Sequence, residues 1–271
     1  AQAYLDKNNY ENLFPSVRQP GCILKNINGY YYQNQFPLTE KDAVEVCSNL
    51  ERAIIKPTLD SCQGRNVKCF STKEGKLKGE TESILKLFQK YNRNFIVQEV
   101  IRQHPVIAAL NPTSVNTIRI VTYRRGNEII HLSSILRVGR NGEIVDNGHA
   151  GGFCCGIEED GCLKPEGYVV SENQIRQKTD SGVAFEGIRI PEYNKILMTA
   201  RDLHFRLPYL NLVGWDFCVD EHNEVVLIEF NTEPDIEMMQ LPNGPILGKY
   251  TDEILRIVSH LRYDLKVVKV S

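Results

Sequence analysis

The chain has 271 residues, of which 42% are hydrophobic, so it is long enough to bury a sizeable core as one large domain or as two lobes. Its 32 lysines and arginines nearly balance its 34 aspartates and glutamates, and the formal net charge of -2 excludes a global electrostatic attraction to nucleic acid or to anionic lipid. No apolar stretch approaches the roughly 20 residues that a membrane-spanning helix needs and the first residues lack a signal-peptide pattern, so we expect a cytoplasmic protein without a membrane span.

The N-terminal part of the chain predicts a small lobe of mixed helix and strand. Residues 1–39 are rich in Asn, Gln, Tyr and Pro and are predicted to be a segment that leads into this lobe. A helix is expected to begin at Thr39, because Thr39 and Asp42 have the spacing of a capping box. A strand, a second strand, a helix and a third strand are then predicted over residues 53–56, 66–71, 80–91 and 95–101. We therefore assign residues 40–101 to the small lobe.

The rest of the chain, residues 102–271, predicts a larger lobe built on an antiparallel sheet. Its long apolar runs are predicted as strands over residues 117–124, 128–138, 152–157, 212–219 and 225–231. Amphipathic helices are predicted over residues 191–206 and 248–261. The apolar residues expected on the inner face of the second helix are Ile254, Leu255, Ile257, Val258 and Leu261. Together the two lobes predict the α+β class.

The clearest chemical signal lies in residues 214–234, where two apolar strands flank a polar turn and predict a hairpin. Centring the turn midway through residues 221–224 places Asp216 directly opposite Glu229. Strand alternation then places Asn231 on the same face as Glu229. Two carboxylates and a carboxamide are oxygen donors of the kind that Mg²⁺ prefers, so the hairpin predicts a magnesium site.

The same pairing predicts an electrostatic cost. Like charges directly opposite one another destabilise a sheet unless a cation compensates them. We therefore expect a bound cation at Asp216 and Glu229, and we expect the metal-free protein to be at least as stable when one of these charges is removed. The alternative is an amphipathic hairpin whose carboxylates face solvent. Apolar residues on both faces disfavour it, because a buried acid needs a partner or a raised pKa.

The hairpin's second strand, LIEFNTEP, resembles the metal-binding strand of ATP-grasp ligases. In that family an acid, any residue and then Asn follow an earlier Asp across a hairpin, and Glu229, Asn231 and Asp216 match this pattern in order and spacing. The resemblance implies the ATP-grasp fold, in which ATP lies between two lobes. It also implies that these three residues hold Mg²⁺.

Two upstream segments resemble the nucleotide-contacting strands of the same family. AIIKP is similar to the strand that carries a phosphate-contacting lysine and precedes a loop over the triphosphate, and FIVQEVI is similar to the interlobe strand that holds adenine and ribose. The matching residues are Lys56 on the first strand, Ser61 and Gly64 in the loop, and Gln98, Glu99 and Ile101 on the second strand.

Three longer segments narrow the resemblance to one branch of these proteins. NPTSVNTIRIVTYR, VDNGHAGG and GWDF are similar to the sugar-transfer-associated ATP-grasp family, and the similarity runs from Leu50 to the end of the chain. This implies an ATP- and Mg²⁺-dependent ligase in exopolysaccharide or capsule assembly. Its partners would be a small-molecule acid and an amine or sugar acceptor.

The chain departs from the better-known ligases at two places. The loop over residues 58–65 has a single Gly, and Gly214 stands where D-alanine:D-alanine ligases carry an arginine that steadies the acyl phosphate, so another cation must serve. Arg119 and Arg137 are the candidates, because phosphoryl chemistry needs cations near the phosphate and each lies within a mostly apolar strand. The alternative for each is a structural ion pair with a sheet neighbour.

Other polar residues have two open interpretations. Asn116 is predicted to add a contact to the nucleotide, and it is equally a turn residue after Pro112. Residues 146–152 contain three glycines that either let backbone approach a ligand closely or form an ordinary turn. The eight cysteines lack CxxC spacing and indicate free thiols.

Three functions remain open at this point. A ligase would activate a carboxylate as an acyl phosphate, whereas a phosphotransferase on the same fold would pass phosphate directly to a hydroxyl. A non-catalytic nucleotide-binding module is the third, favoured by the missing arginine and disfavoured by the intact metal-ligand pattern.

Overall fold

The computed structural model describes residues 2–59, 66–140, 142, 146 and 151–268. The helices are α1 (Gln2–Leu5), α2 (Tyr10–Leu13), α3 (Glu40–Val46), α4 (Ile84–Tyr91), α5 (Pro105–Ala108), α6 (Tyr193–Phe205), α7 (Ile236–Asn243) and α8 (Thr251–Val268). The strands of the first half are β1 (Cys22–Ile27), β2 (Tyr30–Gln33), β3 (Phe36–Leu38), β4 (Ala53–Pro57), β5 (Lys68–Phe70), β6 (Thr72–Lys73), β7 (Lys76–Leu77) and β8 (Phe95–Glu99). The strands of the second half are β9 (Thr117–Arg125), β10 (Glu128–Val138), β11 (Phe153–Ile157), β12 (Leu163–Val169), β13 (Gln174–Arg176), β14 (Leu212–Val219) and β15 (Val225–Asn231).

A six-stranded antiparallel sheet, in the order β3-β2-β1-β8-β4-β5, forms the small lobe. Helices α3 and α4 close its core, in which Leu24, Ile55, Phe88 and Phe95 are buried together. Helix α3 begins after Thr39, as predicted, because the Thr39 side chain and Asp42 form a reciprocal capping box.

The N-terminal residues 1–39, expected only to lead into the small lobe, take part in both lobes. Strands β1, β2 and β3 supply half of the small lobe's sheet, and β1 pairs directly with β8. Before β1, the side chains of Tyr10 and Phe14 pack against Phe230 of the large lobe, and Phe14 also contacts Trp215. The division at residue 40 therefore does not coincide with a boundary in space.

A seven-stranded antiparallel sheet, in the order β13-β12-β11-β10-β9-β14-β15, forms the large lobe. Helix α6 packs on one face, where Trp215 is fully buried and donates from Nε1 to the Thr122 hydroxyl at 2.9 Å. On the other face, Met238 and Met239 of α7 pack against Val121. The predicted α+β class is confirmed by this architecture.

The prediction for the C-terminal helix was wrong in one respect. Leu255, Ile257 and Val258 of α8 do not face the core but are 58%, 37% and 43% exposed. Helix α7 already covers the sheet there, so α8 is held at its start by Glu253, which accepts from the Tyr123 hydroxyl at 3.0 Å. In the part of the chain that the structure describes, no helix is long and apolar enough to cross a membrane.

Candidate functional site

A cleft lies where the small sheet faces the large one. Strands β4 and β8 supply its upper wall, and the facing wall comes from β9, β10, β14 and β15. Its lining residues are Pro20, Ile54, Lys56, Val67, Gln98, Glu99, Ile101, Val115, Thr117, Arg137, Asp146, Asp216, Ile228 and Glu229. Most of the predicted site residues thus share one cavity, although they come from strands far apart in the sequence.

Part of the cleft lining is apolar, and we call this part the apolar slot. Ile54 and Ile101 line it from the small lobe and the interlobe connection, and Ile228 lines it from the large lobe. Glu99 stands at the edge, packed so closely that a Cβ on Gly21 would lie 3.1 Å from its carboxyl carbon. An apolar slot with a few polar groups at its rim is suited to a flat aromatic ring that carries polar substituents.

The β14–β15 hairpin brings the predicted carboxylates into the same cleft. Asp216 pairs with Glu229 and Gly214 with Asn231, as expected. The turn itself centres on His222, half a residue earlier than predicted, because Val219 pairs with Val225. The ladder shifts between Asp216 and Phe217, which leaves Ile228 as the extra residue of a bulge. The bulge restores the predicted pairing at the site.

Arg119 and Arg137 converge on Asp216. The Nε and Nη2 atoms of Arg119 each donate to one Asp216 oxygen at 2.7 Å, and Arg137 donates from Nη1 at 3.3 Å. Burial alone would raise the pKa of Asp216, but the two guanidinium groups hold it below its ordinary value. Both arginines therefore form ion pairs, which is the alternative to a catalytic role that the sequence left open. The acids with which they pair nevertheless line the cleft.

Asp146 is a site residue that strand patterns gave no means to place. Its carboxylate accepts from Arg137 Nη2 at 2.7 Å and from the Thr117 backbone amide at 2.9 Å, and the Thr117 hydroxyl also donates to it. The sequence left open whether residues 146–152 approach a ligand or form an ordinary turn. Residues 147–150 of that connection, including His149, lie outside the described residues.

Two lysines accompany Glu229. Lys7 Nζ lies 3.0 Å from Glu229 Oε1, and the Lys7 side chain is only 9% exposed. Lys56, at the end of β4, has its pKa lowered to about 8 by burial and by the positive charge of Lys7, although Glu229 opposes the shift. Lys56 was predicted from the sequence. Lys7 was not, since nothing local in the N-terminal segment reveals that it reaches this cleft.

The predicted role of Asn116 needs correction. Its side chain is fully buried and accepts from the Ser114 hydroxyl at 2.9 Å, while its amide donates to the Ile107 and Asn111 carbonyls at 3.0 Å. These bonds hold the connection that leads into β9. Asn116 is therefore a structural turn residue in this protein. Ser61 and Gly64, predicted in the loop over the phosphates, lie outside the described residues.

The two opposed carboxylates do not depend on a bound metal for their charge balance, contrary to the expectation from the sequence. Asp216 is neutralised by the two arginines, and Glu229 is neutralised by Lys7. Among the described residues, no three His, Cys, Asp or Glu side chains form a metal-binding group.

The predicted magnesium ligands nevertheless fit the ion in kind. Asp216 and Glu229 lie opposite each other, and the amide nitrogen of Asn231 is 3.4 Å from an Asp216 oxygen. Turning this amide over would place its oxygen beside the Asp216 carboxylate, giving the hard oxygen donors that Mg²⁺ takes. Glu229 is 30% exposed and therefore remains accessible from the cleft.

Close packing explains why position 214 is a glycine. A Cβ there would lie 2.8 Å from the Cβ of Pro234, so the arginine of D-alanine:D-alanine ligases cannot occupy this position without moving Pro234. Arg119 and Arg137 supply positive charge next to the same aspartate from the neighbouring strands.

Comparisons with solved structures identify the fold. D-alanine:D-alanine ligase from Bacillus anthracis, solved with ATP, is 12% identical, has a TM-score of 0.50, and aligns over 96% of this chain and 66% of its own. N5-carboxyaminoimidazole synthetase from Staphylococcus aureus, solved with ADP, is 10% identical, has a TM-score of 0.49, and aligns over 93% of this chain and 48% of its own. The chain thus spans between about half and two thirds of these proteins. At these identities the likeness shows the fold alone, and that fold is the ATP-grasp fold.

Sequence comparison gives the family. Among curated proteins no sequence matches the chain. The family model described as sugar-transfer associated ATP-grasp matches residues 40–255, well over half of the chain. The protein is therefore a member of the sugar-transfer-associated ATP-grasp family.

Proposed function

We propose that this protein uses ATP and Mg²⁺ to activate the carboxylate of a small-molecule acid as an acyl phosphate, which an amine or a sugar hydroxyl then attacks. One observation carries the proposal. A single cleft is lined both by apolar side chains and by Lys56, Arg137 and several acids, two of which also pair with Lys7 and Arg119. Such a cleft suits a ligand with an aromatic base at one end and a polyphosphate at the other.

The slot supports a role in holding the adenine ring. Ile54, Ile101 and Ile228 would pack on its faces, because flat apolar surface on both sides excludes water from the ring. Glu99 at the rim would accept hydrogen bonds from the ribose hydroxyls. Lys56 would donate to the phosphates, and a bound polyphosphate would favour its charged form.

The charged residues of the cleft support a role in phosphoryl transfer. Glu229, Asp216 and Asn231 would hold Mg²⁺, which when bound neutralises phosphate charge and fixes the γ-phosphate. Arg119 and Arg137 would neutralise the charge that develops as the acid's carboxylate oxygen displaces ADP from that phosphate. The attacking amine or hydroxyl would then release inorganic phosphate and form the amide or ester.

The biological setting is part of the same proposal. Membership of the sugar-transfer-associated family supports a place in exopolysaccharide or capsule assembly, with a carbohydrate as the acceptor. The acid and the acceptor would be small molecules, and the reaction a cytoplasmic one.

Product analysis tests the proposal. Purified protein with Mg-ATP and a panel of sugar acids and amino acids is treated with hydroxylamine, which traps an acyl phosphate as a hydroxamate. A ligase gives hydroxamate and ADP in equal amounts, and only with the right acid. Transfer of ³²P from the γ-phosphate to a stable ester on a hydroxyl would replace this proposal with a phosphotransferase. A protein that binds no Mg-ATP would refute both.

A further inference from the structure

The N-terminal segment before β1 lies across both lobes. The backbone amide of Lys7 donates to the Thr58 carbonyl at 3.2 Å, and the side-chain amide of Asn8 donates to the Thr58 hydroxyl at 3.2 Å, just beyond β4. On the large lobe, the Tyr10 hydroxyl donates to the Phe230 carbonyl at 3.5 Å. We call residues 6–14 the strap. It precedes residues 40–255, the part that the family model matches.

The strap delivers one charge into the cleft. Because its backbone is fixed at Thr58, the Lys7 side chain reaches Glu229, one of the three predicted metal ligands, at 3.0 Å. Lys7 is 9% exposed and Glu229 is 30% exposed, so water screens the pair only in part. Lys56 lines the same cleft as Glu229.

We propose that Lys7 is a positioning residue of the nucleotide and metal site, the internal counter-ion that holds Glu229 in the cleft. Its ammonium group lies 3.0 Å from Glu229 Oε1 and supplies positive charge to the carboxylate that a divalent cation would also need. Cation binding at Glu229 must therefore compete with Lys7, whereas a metal-free nucleotide benefits from it. This inference rests on the proposed function, since it assumes that a nucleotide and a metal use this cleft. The rival is a purely structural pair that fastens the strap to β15.

The variant Lys7→Met separates the counter-ion role from the structural pair, because the two roles predict different changes in ligand affinity. Without Lys7, Glu229 loses its ion-pair partner and adds negative charge to the cleft. Mn²⁺ alone, followed by water-proton relaxation, should then bind roughly three- to tenfold more tightly, and ATP in EDTA, followed by calorimetry, should bind roughly three- to tenfold more weakly. If Lys7 only fastens the strap to β15, its loss should weaken the binding of both ligands.

Two variants complete the experiment. Lys7→Arg keeps the charge and should restore both affinities to near the wild-type values. Lys90→Met is the matched control, because Lys90 forms an ion pair of 2.7 Å with Glu82 at the surface of the small lobe, and it should leave both affinities unchanged.

The outcomes distinguish this inference from the proposed function. A wild-type protein that binds neither Mn²⁺ nor ATP refutes the proposed function itself. A wild-type protein that binds both, with a Lys7→Met variant whose two affinities do not move in opposite directions, overturns only the role of Lys7. If Lys7→Met does not fold, Lys7→Gln, which removes the charge but keeps a polar side chain, carries the same two titrations. Two affinities that do not move in opposite directions in this variant overturn the counter-ion role, and so does a Lys7→Gln protein that also fails to fold.

Discussion

Replacing Glu229 by Gln should destabilise the metal-free protein. The substitution keeps the shape of the side chain and removes the charge that compensates Lys7 at 3.0 Å and favours the charged form of Lys56. Removing one partner of a fully buried ion pair costs about 3–5 kcal/mol. Because Glu229 is 30% exposed, we discount this to about 1–2 kcal/mol.

Equilibrium unfolding in urea, with EDTA present and no nucleotide, measures the change. Glu233→Gln is the matched control, since Glu233 is exposed beyond the same strand and its substitution should change the free energy of unfolding by less than about 0.5 kcal/mol. A Glu229→Gln protein as stable as wild type, or more so, would refute the reasoning. That result would restore the view from the sequence alone, in which Glu229 and Asp216 mainly repel each other. Turnover should be lost in either case if Glu229 holds Mg²⁺.

The carboxylate hairpin shows how far the sequence alone leads. Apolar alternation on both strands was enough to place Asp216 opposite Glu229. The same pattern missed that the turn centres on His222 and that a bulge at Ile228 compensates. Over a few residues, alternation indicates which face of the sheet a side chain lies on. A bulge depends on how the strand packs in the folded sheet, which alternation does not show.

The groups that complete the site could not be predicted, because each depends on contacts between distant parts of the chain. Lys7 comes from a segment with no regular apolar pattern, and Asp146 from a connection whose composition fits any turn. Asn116 was predicted to contact the nucleotide, but its amide bonds to backbone carbonyls instead. A buried amide that satisfies backbone groups looks the same in sequence as one that contacts a ligand. The apolar face of α8 is exposed because α7 covers the sheet at that position, and the sequence does not reveal this contact.

Three further predictions concern the nucleotide, the hairpin and the buried lysine. Mg-ATP at ten times its dissociation constant should stabilise the protein by about 1.4 kcal/mol, and an unchanged melting temperature at saturating Mg-ATP would contradict the nucleotide assignment. Gly214→Ala should destabilise by about 1–3 kcal/mol in urea unfolding, because the new Cβ meets Pro234 at 2.8 Å, and a neutral effect would mean that Pro234 yields easily. Lys56→Met should weaken ATP binding yet stabilise the free protein at pH 7. Burial lowers the pKa of Lys56 to about 8 from its ordinary 10.5, so the folded state bears the cost of the charge at every pH below 8, and the cost fades as the pH rises from 8 to 10.5. At about 1.4 kcal/mol for each pKa unit, the gain at pH 7 is about 3 kcal/mol, and it should shrink to about 1 kcal/mol near pH 10. Urea unfolding of both proteins at pH 7 and pH 10 measures this, and a Lys56→Met protein that is no more stable than wild type at pH 7 would show that the lysine's charge is well solvated in the cleft.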